Sequence, residues 1–158
     1  MNPPTATRPS AVRTDRIEHV AGHLLPNAAL VTRLLVKQLR TDISRTDASV
    51  LNALTGAPRR VTELAELEGL AQPTMTLLVQ RLEQRGWVKR DRHADDGRVV
   101  LISLTGAGRT ALEEFRARVG AALHEHMEAM SDEQVAALAT ATDALASLVD
   151  VLQGRAAR

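Results

Sequence analysis

Three arginines, Arg90, Arg92 and Arg98, stand around a turn that also holds Asp95 and Asp96, in the stretch RDRHADDGRVVLISLT at residues 90–105. Guanidinium groups on a turn can meet phosphate oxygens or enter a narrow, electronegative minor groove. Arg98, at the tip, is the residue placed for that groove. Carboxylates beside it would repel phosphate, so they must orient something. Asp96, two residues before Arg98, is positioned to hold loop N–H groups or to pair with an arginine. A second set lies upstream: Gln72, Thr74, Thr76, Leu77 and Gln80, with Gln84 and Arg81 beside them. Glutamine can bond an adenine edge with two hydrogen bonds, threonine can serve several bases, and apolar groups can touch a thymine methyl.

Other chemistries find less support. No Gly-rich phosphate loop, Gly-x-Ser-x-Gly or His-Glu-x-x-His motif occurs. Asp95 and Asp96 are adjacent in a turn, where water keeps both ionised, so they make no acid–base dyad. His19 and His23 lie four residues apart on one helix face, a spacing that zinc ligands use. The carboxylate or thiolate ligands that would complete such a site are missing, so no metal is expected and the pair reads as a surface or interface feature. His124 and His126 are two apart and point in different directions. The chain is therefore expected not to be an enzyme and to carry no cofactor.

The 158 residues contain no cysteine, which removes disulfides, thiolate metal sites and thiol redox switching. Aromatic residues are limited to Trp87 and Phe115, too few to stack single-stranded nucleic acid. Net charge is only +1, but it is unevenly spread. Residues 81–109 hold seven Lys and Arg against four acids, while residues 110–158 hold four against eight. A basic region on a nearly neutral chain can bind a polyanion. No run of about 18 apolar residues is read as a membrane span. The first residues lack the apolar core of a secretion signal, so a cytoplasmic location is expected.

The elements that must position these side chains follow from periodicity. Residues 1–14, with three prolines, read as a disordered arm. Residues 15–40 carry Ile17, Val20, Leu24, Leu30, Leu34 and Leu35 at helical spacing, with Pro26 expected to kink or split the helix. Thr46 is the expected cap of a second helix with Val50, Leu51 and Leu54 inside. Thr62 is the expected cap of a third, packed through Leu64, Ala65 and Leu67 and ended by Gly69. Pro73 then opens a fourth helix, whose inner row is Met75, Leu78, Val79 and Leu82. Residues 87–104 change to strand character around a charged turn, which predicts a β-hairpin with Trp87 in the core. Thr105 should cap a long helix, and SDEQ at 131–134 is a capping box for a last one. The apolar rows of these terminal helices exceed what the core can use, which points to a partner chain.

The predicted fold is mainly α with a small β-hairpin wing: a winged helix-turn-helix at 41–104, with a linking helix at 15–40 and dimerisation helices within 105–158. The helix beginning near Gln72 would enter the major groove N-terminus first. Arg59, Arg60 and Thr62, ahead of the third helix, are phosphate candidates, and Arg90 could equally pair with an acid. The stretch RLEQRGWVKRDRHADDGRVVLISLTGAGR, residues 81–109, resembles the MarR-type winged helix-turn-helix regulators, with Arg90, Asp96, Arg98, Leu104, Thr105 and Gly108 at the family's intervals. Residues 62–83 look like that family's scaffold and recognition helices. The resemblance implies a homodimer on inverted-repeat double-stranded DNA, usually a repressor, and often a small phenolic effector that releases the DNA. Leu77 departs from the family, which often has a polar or basic residue there. A protein-binding winged helix and a zinc-responsive regulator are the competing readings.

Overall fold

A computed structural model describes residues 11–39, 41–92, 99–152 and 154, and for Arg92 the backbone alone. The element order is α1 (Ala11–Gln38), α2 (Arg45–Ala53), α3 (Val61–Glu68), α4 (Gln72–Gln84), β1 (Val88–Arg92), β2 (Val100–Leu104), α5 (Gly106–Met127) and α6 (Asp132–Leu152). This is the mainly helical architecture with one antiparallel hairpin that the sequence predicts. The wing residues Asp95, Asp96 and Arg98 lie outside the described residues, as does most of the expected N-terminal arm. The chain divides at Phe115/Arg116 into two compact units.

In the first unit, α1 begins at Ala11, so residues 11–14 belong to the helix and not to the arm. It runs through Pro26 as one helix, without the split that proline suggests. Only Leu35 of its apolar row is buried, while Ile17, Val20, Leu30 and Leu34 are exposed.

The cap of α2 is Ser44, not Thr46. The reason is reciprocity: the Asp47 N–H donates to Ser44 Oγ and the Ser44 N–H to Asp47 Oδ2, each at 3.0 Å. Thr46 has Ser49 three residues on, which offers no carboxylate for such a box. Likewise α3 starts after Arg60, whose N–H donates to Glu63 Oε2 at 3.0 Å, so Thr62 stands inside the first turn and caps nothing. Gly69 ends α3 with φ 63°, a left-handed conformation that glycine adopts without a Cβ penalty. Leu67 is 58% exposed, contrary to its expected inward position. With Leu64 and Ala65 fixing the inner face, a residue two beyond Ala65 is turned about 200° away from it.

Helix α4 buries Met75, Leu78, Val79 and Leu82, the predicted row. These pack with Val50, Leu51, Leu64, Val88 and Ile102 into one core, against which Trp87, Leu104 and Phe115 are partly buried. The strands pair from Val88↔Leu104 to Arg92↔Val100. Arg59 adds a short third rung, exchanging both backbone hydrogen bonds with Ile102 at 3.0 and 2.8 Å.

The hairpin is fixed to α5 through Thr105 and Gly108. Thr105 Oγ1 accepts from the Gly108 N–H at 3.0 Å, the expected cap, and donates to the Gly86 carbonyl at 2.6 Å. A Cβ on Gly108 would lie 2.0 Å from the Trp87 carbonyl oxygen, so only glycine fits this contact.

In the second unit, α6 is capped as SDEQ predicts: Ser131 and Gln134 exchange hydrogen bonds at 3.1 and 3.3 Å. None of its residues is buried. By length and composition α6 could cross a membrane, with a mean hydropathy of 1.6 over 18 residues, a feature the sequence reading did not register. It carries Asp143 and Asp150 within its apolar length.

Candidate nucleic-acid interface

The α3–turn–α4 unit sets its outward residues by fixing its inward ones. Because Met75, Leu78, Val79 and Leu82 are buried, Gln72, Thr74, Thr76, Leu77, Gln80 and Arg81 are all exposed. Gln72 and Pro73 occupy the first turn of α4, with Ala71 at the cap position. Ala71 supplies no capping side chain, so the first N–H groups of α4 keep donor capacity for an outside acceptor. Thr62 and Gln72 line the same open cleft at the α3–α4 turn, which brings one phosphate candidate next to the first reading candidate.

Several candidates already have partners. The Arg81 guanidinium donates to Asp47 Oδ1, forming an ion pair between α4 and α2. Asp47 is 2% exposed, and its other oxygen holds the Ser44 N–H, so this buried carboxylate is fully engaged. Arg81 thereby fixes the angle of α4 in addition to bordering its outer face. The Thr76 hydroxyl donates to the Gln72 carbonyl at 2.9 Å. Arg59 Nε donates to the Ala53 carbonyl at 3.0 Å, anchoring the end of α2. Arg60 and Thr62 are exposed at the start of α3.

At the wing, Arg90 Nε pairs with Glu83 Oε2 at 2.9 Å, the acid partner allowed for in the sequence. This bond ties β1 back to α4. Lys89 and Ser103 both bond Asp91, at 3.0 and 2.9 Å. Their hydrogen bonds hold the Asp91 carboxyl below its ordinary pKa, Lys89 contributing most and desolvation opposing. The Arg92 backbone closes the hairpin opposite Val100.

Some positioning residues were not found from the sequence. Arg85 donates through Nη1 to the Asp42 carbonyl and lies 4.8 Å from the centre of the Trp87 ring. Ser49 bonds Glu68 at 2.8 Å, joining α2 to α3. The Ser44-x-x-Asp47 spacing was the available signal for Asp47. Nothing local marks a bond such as Ser49–Glu68.

The histidine pair is stacked, with ring centroids 4.6 Å apart, and His23 Nδ1 lies 2.8 Å from the His19 carbonyl oxygen. That bond leaves one ring nitrogen of His23 for any ligand. No group of three or more metal-ligating side chains occurs among the described residues.

With this geometry in place, likeness to known proteins is informative. The MarR family model matches residues 43–100, the span from the start of the core to the second strand. Over those residues the chain is similar to the MarR family. It is 36% identical over 73 residues to the HTH-type transcriptional repressor YetL of Bacillus subtilis, covering 46% of this chain and 44% of YetL. It is 26% identical over 115 residues to the HTH-type transcriptional regulator YpoP of the same organism, covering 67% of this chain and 82% of YpoP. The solved structure of wild-type apo MarR from E. coli aligns over 83% of this chain and 95% of its own, with 25% identity and a TM-score of 0.58. These likenesses are to transcriptional regulators, and the α3–turn–α4 unit with its hairpin is a winged helix-turn-helix of their kind. Thr105 and Gly108, just beyond the matched residues, have a mechanical role: they join wing and helix where the Trp87 carbonyl leaves no room for a side chain.

Proposed function

We propose that this regulator binds duplex DNA as a homodimer, with α4 in the major groove and the wing at the minor groove. One observation carries the reading: α4 buries one face completely and leaves Gln72, Thr74, Leu77 and Gln80 free of the core on the other. Such a helix projects from its domain as a groove reader must. Symmetric copies would set two α4 helices about 34 Å apart, one DNA turn, on an inverted repeat. The exposed apolar rows of α1 and α6 support self-association. YetL's name as a repressor supports repression as the sign of control. A small phenolic effector that releases the DNA, and action in the cytoplasm, complete the proposal.

The test is a gel shift on the intergenic DNA upstream of its own gene, with competitor, at two salt concentrations. A discrete band that resists competitor and weakens with salt is expected, since phosphate contacts release counterions. Binding that ignores salt, or none to any genomic fragment, would instead support a protein-binding winged helix. Arg98→Ala should weaken the band without changing the melting temperature, and unchanged affinity would remove the wing from the interface.

A further inference from the structure

The outer face of α4 is less polar in the structure than its residue types suggest. The Arg81 guanidinium rests on Asp47, the Thr76 hydroxyl is turned back on its own helix, and Pro73 has no N–H to give. In the middle of this face Leu77 is 68% exposed. Thr74 and Gln80, three residues to either side, are its neighbours on the helix surface. Leu77 cannot form a hydrogen bond, and water around a branched apolar side chain is unfavourable. The end of this helix and the chain after it, residues 81–109, hold seven Lys and Arg against four acids, a balance suited to a polyanion. In the major groove of duplex DNA the apolar group on offer is the C5-methyl of thymine.

We propose that Leu77 is a specificity-determining residue that recognises a thymine methyl, at one base pair in each half-site. The proposal rests on the DNA-binding reading above and deepens it. Recognition at that base pair comes from burying the methyl against the leucine, with no base hydrogen bond from this side chain. Thr74 and Gln80 read the flanking pairs.

Deoxyuridine provides the test, because it differs from thymidine by that methyl alone. Wild-type protein would first enrich duplexes from a library with a random centre. The best duplex would then be remade with each thymine replaced in turn by deoxyuridine. One thymine per half-site should show a loss of affinity of about fourfold, the effect of burying one such group. Leu77→Ala should bind the thymine and uracil duplexes equally, with the salt dependence of the wild type. Leu77→Asn, put through the same enrichment, should move the preferred base away from thymine towards adenine. A selected site with no uracil-sensitive thymine would overturn the proposal and leave DNA binding standing. So would a Leu77→Ala variant that keeps the wild-type sensitivity, or an unchanged preference in Leu77→Asn. Failure of the folded wild type to enrich any sequence would overturn the DNA-binding reading itself, and this proposal with it.

Discussion

The winged lobe and helix α6 have similar apolar patterns and opposite fates. In the lobe, Leu51, Leu64, Met75, Val79 and Leu82 are fully buried against one another. In α6, Leu138, Leu145, Leu148 and Val149 recur at helical spacing and stay exposed. The lobe satisfies its apolar rows within one chain because α2, α3, α4 and the hairpin all contribute side chains to a common core. A single helix with a long row has no such centre and needs a second surface of the same kind. Periodicity therefore identifies the face a helix will bury, but not what will bury it.

The sharpest way to break this comparison is one truncation in each region. Leu51→Ala should lower stability by about 3 kcal/mol, since it leaves a cavity in a closed core. Its urea midpoint should fall at every protein concentration. The pair Leu138→Ala and Leu145→Ala, two turns apart on α6, should act through assembly. Sedimentation should then show dissociation at concentrations where the wild type remains associated. A double variant that sediments like the wild type throughout would mean that this row does not join copies of the chain.

The lobe also contains one contact that no packing change can relieve. In Gly108→Ala the new methyl would meet the Trp87 carbonyl oxygen at 2.0 Å and its carbonyl carbon at 2.8 Å, both backbone atoms. A loss of about 3 kcal/mol is expected, at the upper end of overpacking. The amides of β1 and β2 should exchange faster with solvent, because this contact seats the hairpin. Thr105→Ala removes only the cap and should cost about 1 kcal/mol. If the two variants unfold alike, close approach is not what selects glycine here.

How far the sequence discloses these features depends on their range. The core row of α4, the left-handed Gly69 and the Ser131 and Thr105 caps are local, set by residues within one turn, and they were legible. The exposure of Leu67 was not, because the inward direction of an eight-residue helix is decided by its neighbours. The partners of Arg81 and Arg90 show the same limit. Both residues were read as facing DNA, with an acid partner foreseen for Arg90, and Asp47 lies 34 positions from Arg81. Cations on a surface can be counted from sequence, whereas their allocation between acids and ligands requires the fold.

That allocation is testable at Asp47. Asp47→Asn keeps the shape of the side chain and an acceptor for Ser44, but removes the charge that faces Arg81. A loss of about 2 kcal/mol is expected for a bond to a charged group, limited because Arg81 is half exposed and water can take over its charge. DNA affinity should fall together with stability, and Arg81→Met should add little once Asp47 is gone, because both changes remove one interaction. Fully additive effects would give Arg81 a separate role.

The smallest effect belongs to the wing base, where contacts are exposed to solvent. The carboxyl of Asp91 is held below its ordinary value, first by the Lys89 hydrogen bond and then by Ser103. A carboxylate with a depressed folded pKa stabilises the fold above its unfolded value, and that contribution is lost as pH falls through the folded value. The wing base should therefore be indifferent to pH near neutrality and should loosen only in acid, below the ordinary carboxylate range. A carbon-detected NMR titration of Asp91 should show its midpoint rising in Lys89→Met, and rising less in Ser103→Ala. Added salt should narrow the difference between wild type and Lys89→Met, since an exposed ion pair is screened. Equal shifts in the two variants would mean that the strand hydroxyl matters as much as the cation. The buried root of the hairpin at Val88 and Ile102 should be unchanged in both, which distinguishes the part of the wing held by packing from the part held by charge.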